Sequence, residues 1–387
     1  MKFRDREPPA HYARYLAGEK TLLLPEALVR TLILEQDGLV EPQAPAARPP
    51  EIKEEAPAKP PRARRRRGGI LVFDPKNIAH ATAAMENSRR DEKVTILKVL
   101  KDAARADGYR AVLRPRRAAL TALGASLKAT FPNFEATIER LVRELALQSV
   151  RSAGDFRMAP LLLYGAPGIG KTTFARVLAE RLRVDFEVIS AGSTQGAFEF
   201  SGTSRHWSSS QPGRIASLLA RSGMACPIVV VDEVDKMGED RQHPVLPALL
   251  DLLEEGSARR FRDACLDVTF DASRLVVLAT ANEPARVPKP LRSRMQEIKV
   301  SLPTVGERRQ IVARMAECLV QGILRAKRPV LDPALLDALA GAPIDLREMH
   351  RRLHQAVGTA VLERRRSLTA ADLPQVAGER RPKMGFV

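Results

Sequence analysis

Eight consecutive residues, Gly165-Ala166-Pro167-Gly168-Ile169-Gly170-Lys171-Thr172, set glycines, a lysine and a hydroxyl in the order that binding a polyphosphate requires. Glycines let successive backbone N–H groups turn inward around the anion without Cβ clashes. The lysine then reaches the β and γ phosphates, and the threonine hydroxyl is offered to Mg²⁺. The apolar run Leu161-Leu162-Leu163-Tyr164 precedes the loop and a helix-like stretch opening with Thr173 follows it. A strand before and a helix after are the context in which such a loop holds nucleotide, because the helix N-terminus adds its positive dipole. Gly165 through Thr173 are therefore the candidate nucleotide-binding residues.

A second constellation lies farther along the chain, where Ile228-Val229-Val230-Val231 runs into Asp232-Glu233. In a nucleoside-triphosphatase the first acid helps hold Mg²⁺ and the second polarises the attacking water, since phosphoryl transfer needs positioning and charge compensation more than covalent chemistry. A third apolar stretch, Leu275 to Thr280, ends at Ala281-Asn282-Glu283-Pro284. Asn282 sits where its amide can hold the lytic water or touch the γ-phosphate; the bland alternative is a turn-forming Asn ahead of Pro284.

These residues need a scaffold, and the hydrophobic pattern describes one. Val184 to Ser190, Ile228 to Val231 and Leu275 to Thr280 read as short buried strands with helix-like segments between them, which implies an α/β fold with a mostly parallel sheet covered on both faces. From Pro303 the strand signals cease, and Glu307 to Leu324, Pro333 to Ala340 and Leu346 to Arg366 read as helices of a small helical domain over 303–387. Upstream, a unit begins near Phe131-Pro132-Asn133-Phe134, with Ile138, Leu141, Val142, Leu145 and Leu147 at helical spacing. The expected layout is a short helical segment over 1–40, a Pro- and Arg-rich disordered linker over 41–69, a small helical region over 70–130, the nucleotide domain over 131–302 and the helical domain after it.

Composition narrows the classes. The chain has 387 residues, 44% apolar, with a formal net charge of +17. Excess Lys and Arg is the electrostatic footprint of phosphate binding, but arginine is spread along the whole chain. The dense block Arg62 to Arg67 either contacts nucleic acid or an acidic partner, or is a solvated linker. Three widely spaced cysteines, Cys226, Cys265 and Cys318, suit neither a disulfide framework nor a zinc site. His350 and His354 lack the Glu of a zinc-hydrolase motif and read as surface residues. No apolar run is long enough to cross a bilayer and the charged amino terminus lacks a secretory signal, so a cytoplasmic protein with no membrane partner is expected.

The order of these motifs resembles the AAA+ ATPases, and in detail the ATPase module of Lon proteases. Val231-Asp232-Glu233-Val234-Asp235-Lys236-Met237, Phe261 to Asp271 and Pro290-Leu291-Arg292-Ser293-Arg294-Met295 look like that family's acidic strand end, its insertion before the next strand and its segment ending in Asp-Arg-Met. The resemblance covers about residues 131 to 365. It implies ATP with Mg²⁺ as ligands and a homo-oligomeric, hexameric ring. Arg294 matches the arginine finger that reaches the neighbouring subunit's nucleotide, with Arg292 as runner-up because this chain reads Arg-Ser-Arg. Arg347 matches the helical-domain arginine that senses the γ-phosphate.

The stretch from Ser190 through Phe198-Glu199-Phe200-Ser201-Gly202 to Gln211-Pro212-Gly213-Arg214 resembles the family's substrate-gripping loop, and Trp207 falls on its aromatic position. A flat aromatic among polar neighbours can grip polypeptide or stack on bases. Lon continues into a Ser-Lys peptidase, for which this sequence shows no room, so any protease or adaptor is expected to be a separate partner. The resulting expectation is an ATP-driven ring that unfolds or threads protein. Its rivals are a DNA-associated ATPase that loads or remodels nucleoprotein and a nucleotide switch that acts by binding.

Overall fold

The computed structural model describes residues 12–17, 20–25, 69–87, 93–193, 196–204, 210–237, 245–324, 330–365 and 367–373. Arg62 to Arg67 and Trp207 lie outside these, as does the linker expected over 41–69 except for Gly69.

Residues 1–63 form a unit of their own. Its described part is an antiparallel hairpin of β1 (Tyr12–Ala17) and β2 (Lys20–Pro25), with Tyr12 opposite Pro25. The short helical segment expected over 1–40 is therefore corrected to strand over these residues. The two tyrosines in the first limb, Tyr12 and Tyr15, favour strand over helix.

The rest of the chain, from Arg64, is a second unit. It opens with β3 (Gly69–Leu71), α1 (Pro75–Glu86), α2 (Lys93–Ala103) and β4 (Tyr109–Ala111), with β3 antiparallel to β4. α3 (Arg117–Thr130) and α4 (Glu135–Val150) follow. α4 buries Ile138, Leu141 and Leu145, while Leu147 is exposed, so the apolar stripe is one position narrower than its spacing suggested.

The nucleotide domain contributes β5 (Leu161–Tyr164), α5 (Lys171–Leu182), β6 (Phe186–Ser190), α6 (Arg214–Arg221), β7 (Ile228–Asp232), α7 (Val245–Leu253), β8 (Phe261–Asp263), β9 (Val268–Phe270), β10 (Val276–Ala281) and β11 (Gln296–Lys299). Five strands make one parallel sheet in the order β11-β5-β10-β7-β6, and β8 pairs with β9 as a separate hairpin. The three central strands are almost wholly buried because helices cover both faces, which is why their sequences are continuous apolar runs. β11, at the edge, alternates half-buried and exposed residues and carries Gln, Glu and Lys.

α8 (Val305–Leu324), α9 (Pro333–Gly341) and α10 (Leu346–Leu362) make the C-terminal helical domain. Strand does recur here: β12 (Val330–Leu331) pairs in parallel with β13 (Ser367–Leu368), each too short to register as a pattern.

Two hydrophobic cores organise the unit. One runs from Val72 to Val300 without interruption, so residues 70–130 share the core of the nucleotide domain and the boundary expected at 130 falls inside it. The joint is specific. Ala111 N donates to Gly223 O at 3.0 Å, Ala225 N donates to Ala111 O at 2.7 Å, and Phe73 packs on Phe270 with ring centroids 5.3 Å apart. Buried Arg110 donates to the carbonyls of Asp102 and Ala103 at the end of α2 and of Leu219 and Ala220 in α6. The second core, from Ile311 to Leu368, belongs to the helical domain alone.

Candidate functional site

A cleft of about 740 Å³ opens between these two cores. Its floor is the loop between β5 and α5, built from Pro167 to Thr173. Gly168 and Gly170 take φ of +73° and +96°, values an L side chain resists. A Cβ on Gly168 would also lie 2.7 Å from Asp345 Oδ2, across the cleft in the helical domain. Gly170 caps α5, whose first amides have no partner inside the helix and face the loop, an arrangement suited to an anion.

The sheet delivers the chemistry. β5, β7 and β10 are adjacent and parallel, so the residues at their carboxyl ends converge, as open α/β folds require. Lys171 is buried and its Nζ donates to Gly165 O at 2.8 Å, Ala166 O at 3.0 Å and Asn282 Oδ1 at 2.9 Å. Burial pulls its pKa below the ordinary lysine value, against the opposing pull of Asp232, Asp235 and Glu233. Thr172 Oγ1 donates to Asp232 at 3.1 Å from Oδ2, which brings a hydroxyl and a carboxylate together as a hard cation needs.

Glu233 sits one residue beyond β7 with φ 57° and ψ 47°, and its Oε1 lies 2.6 Å from Lys236 Nζ. The same contact raises the pKa of Lys236. Four of the expected residues thus form two hydrogen-bonded pairs at the carboxyl ends of the sheet, Lys171 with Asn282 and Thr172 with Asp232, with Glu233 beside them.

Two further residues, one bonded to each pair, carry no sequence motif of their own. Thr280, buried on β10, donates its hydroxyl to Asp232 Oδ1 and accepts from Glu233 N at 3.1 Å. Asp235 Oδ2 accepts from Asn282 N and Glu283 N, each at 2.9 Å, so it sets the turn that aims Asn282. Thr280 was legible only as the last residue of a buried strand, and Asp235 only as part of a longer acidic run.

The opposite wall comes from the helical domain. Arg347 and His350 on α10 and Arg314, Met315 and Cys318 on α8 line the cleft. Phe131, Val177, Ile311 and Leu319 add apolar lining to the cleft. Phe131 is held by an aromatic corner in which Phe134 stacks on Phe174 at 4.7 Å. Arg294 and Arg292 do not line the cleft. Arg292 is engaged by Glu297 through two bonds, at 2.8 and 3.0 Å, whereas Arg294 reaches only Pro290 O at 3.1 Å and Glu254 at 3.8 Å. The donor set therefore fits a nucleoside triphosphate with Mg²⁺. Backbone amides and Lys171 match the phosphates, Thr172 and Asp232 match the cation, and the apolar lining matches a base.

A glycine-rich loop between a buried strand and a helix, two acids on the neighbouring strand and a helical domain over the cleft together define a P-loop AAA+ ATPase module. Residues 161–302 match the family model of the "ATPase family associated with various cellular activities (AAA)", and this region is related to the ATPase region of Lon proteases. It is 35% identical over 176 residues to Lon protease of Porphyromonas gingivalis, covering 46% of this chain and 21% of that one. It is 30% identical over 243 residues to Lon protease 1 of Bacillus subtilis, covering 60% and 31%. The chain thus spans between a fifth and a third of the length of these relatives. A mutant RuvB from Thermotoga maritima overlays with a TM-score of 0.42 at 18% identity, covering 60% of this chain and 67% of that one. Among the described residues no helix is long and apolar enough to cross a membrane.

Proposed function

We propose that this chain hydrolyses ATP and couples that hydrolysis to unfolding or threading protein, as a cytoplasmic homo-oligomeric ring, probed most simply as a hexamer. The observation that carries the reading is the convergence of Lys171, Thr172, Asp232, Glu233 and Asn282 at one end of a cleft whose far wall presents Arg347. Mg²⁺, held by Thr172 and Asp232, would supply positive charge that offsets the phosphates. Lys171 exchanges its contacts with the loop carbonyls and Asn282 for the β and γ phosphates. Thr172 and Asp232 hold the cation. Asn282, freed by Lys171, orients water, and Glu233, released from Lys236, takes that water's proton as its oxygen attacks the γ-phosphorus. The bond to the β–γ bridging oxygen breaks, leaving ADP and inorganic phosphate. Arg347 closes on the γ-phosphate from above.

Arg294 stands off its own cleft and is not tied into a close ion pair, which suits a residue completing a neighbour's site. A residue that acts in trans requires head-to-tail contacts that close into a ring. Trp207 grips the substrate polypeptide, and an adaptor or separate peptidase is the expected partner.

The test is the steady-state ATPase rate titrated separately with a reduced, carboxymethylated protein and with DNA at fixed salt. Stimulation by the polypeptide, lost in Trp207→Ala, with the polypeptide still full-length on a gel, supports the reading. Stimulation by DNA alone, falling steeply with salt, moves the function to nucleoprotein and the contact to Arg62–Arg67. Absence of hydrolysis sinks both.

A further inference from the structure

Away from the cleft, one carboxylate is completely buried at the turn end of the β8–β9 hairpin. Asp263 has no exposed surface, and its two oxygens accept backbone N–H groups from two different segments. Oδ1 accepts from Cys265 N at 2.9 Å and Leu266 N at 2.8 Å, which shapes the hairpin turn. Oδ2 accepts from Gly213 N at 2.7 Å, a residue fifty positions earlier in the chain. Gly213 and Gly202 bracket the segment that contains Trp207, and the two limbs of that segment are zipped just inside them. Thr203 N donates to Gln211 O at 3.0 Å, and Gln211 N donates to Thr203 Oγ1 at 2.6 Å. Ala264 N donates to Ser201 O at 2.7 Å, adding a second tie from the hairpin to the first limb.

Both glycines are explained by this joint. Gly202 has φ +77°, and a Cβ there would fall 2.6 Å from Asp263 Oδ1. A Cβ on Gly213 would fall 2.3 Å from Phe200 O. A buried carboxylate is costly unless its lone pairs are met, and here it is met by amides from both elements it joins. Beyond the joint, Arg214 at the start of α6 bonds Glu187 on β6, so the second limb is also moored to the sheet. The hairpin in turn leads directly into β10, the strand that ends at Thr280 and Asn282.

We propose that Asp263 is a positioning residue for the segment that carries Trp207, holding the two limbs of its neck, Ser201–Thr203 and Gln211–Gly213, to the β8–β9 hairpin. The inference rests on the proposed reading of Trp207 as the substrate-gripping residue. Asp263 is not among the residues that line the cleft, so its effect is on the neck and not on the chemistry.

Trp207 is the single tryptophan of the chain, so its fluorescence reports the loop directly. The experiment uses the full chain with Asp263→Asn, and with Gly202→Ala as an attack on the same joint from the other side. An amide presents one acceptor and one donor where the carboxylate presents two acceptors, so the Asn variant must lose one of its two anchorages. The expected result is a rise of about twofold or more in acrylamide quenching of Trp207 in both variants, from local loosening of the neck, with KM for ATP moving far less. Unchanged quenching overturns the proposal. Quenching that rises together with KM for ATP also overturns it, because the variant has then loosened the whole domain. If a reduced, carboxymethylated protein leaves wild-type Trp207 emission unchanged, the gripping role fails, while the quenching comparison still decides whether Asp263 holds the neck.

Discussion

Glu233 turns into the left-handed region directly after β7, a conformation that costs a non-glycine residue on the order of 1 kcal/mol. The backbone is held there because its N–H donates to Thr280 Oγ1, while the side chain is left to Lys236. That division suits a base that must be aimed and also released. Glu233→Gln should lower kcat by about 10² to 10⁴ while ATP still binds, measured by turnover and by retention of labelled nucleotide; normal turnover would move the base elsewhere. The two arginines separate on their partners. Arg294→Ala is expected to lower kcat by about 10³, the low end for an arginine finger, and Arg292→Ala by far less, because Arg292 is committed to Glu297. Mixing Arg294→Ala with Glu233→Gln subunits should restore part of the rate if each site borrows its arginine, which an assay of the mixture against each parent decides.

The loop between β5 and α5 is a hinge-free element, fixed by where its neighbours stand. Gly168 faces Asp345, whose other oxygen accepts from Glu348 N at 2.7 Å as the N-cap of α10. Gly168→Ala should therefore weaken nucleotide binding by pushing the helical domain away from the loop, by about 1 to 3 kcal/mol or roughly five- to 150-fold in Kd, read by titration with a fluorescent ATP analogue. Asp345→Ala should cost α10 about 1 kcal/mol through the lost cap. At this scale the sequence was most readable where one rule acted alone. The glycine spacing named the loop, and the apolar runs of β5, β7 and β10 named the central strands, since a strand covered on both faces cannot alternate. The edge strand β11 was missed because Gln296, Glu297 and Lys299 are what an edge tolerates, and β8 and β9 are too short to show a period. Thr280 and Asp235 act through contacts between strands, which no local pattern encodes. The joint of residues 70–130 with the nucleotide domain was hidden for the same reason, since backbone groups such as Ala111 and Gly223 make it.

At the scale of the whole unit, the helical domain has a core separate from that of the nucleotide domain, and its far end is closed by Asp372, nearly buried and bonded to Arg365 at 3.1 Å. Arg365 holds the Asp372 carboxyl below its usual range. A carboxylate with a lowered folded pKa contributes stability that is present above its unfolded value, about pH 3.9, and that drains away as pH falls through the folded one. Asp372→Asn should thus cost the domain about 1.5 to 3 kcal/mol near neutrality, and its difference from wild type should shrink on acidification below about pH 4, as followed by thermal melts across pH. The helical domain touches the nucleotide domain through α8, against α3 and the turn at 132–134, and across the cleft. A body with its own packed interior transmits displacement without absorbing it, since close-packed cores have low compressibility. The ligand that fills the cleft is then the fastener between a fixed frame and a stiff lever. For the proposed remodelling role, the stroke would be set by the geometry of that lever, and changing the length of α10 would alter the distance moved per ATP without altering how fast ATP is spent.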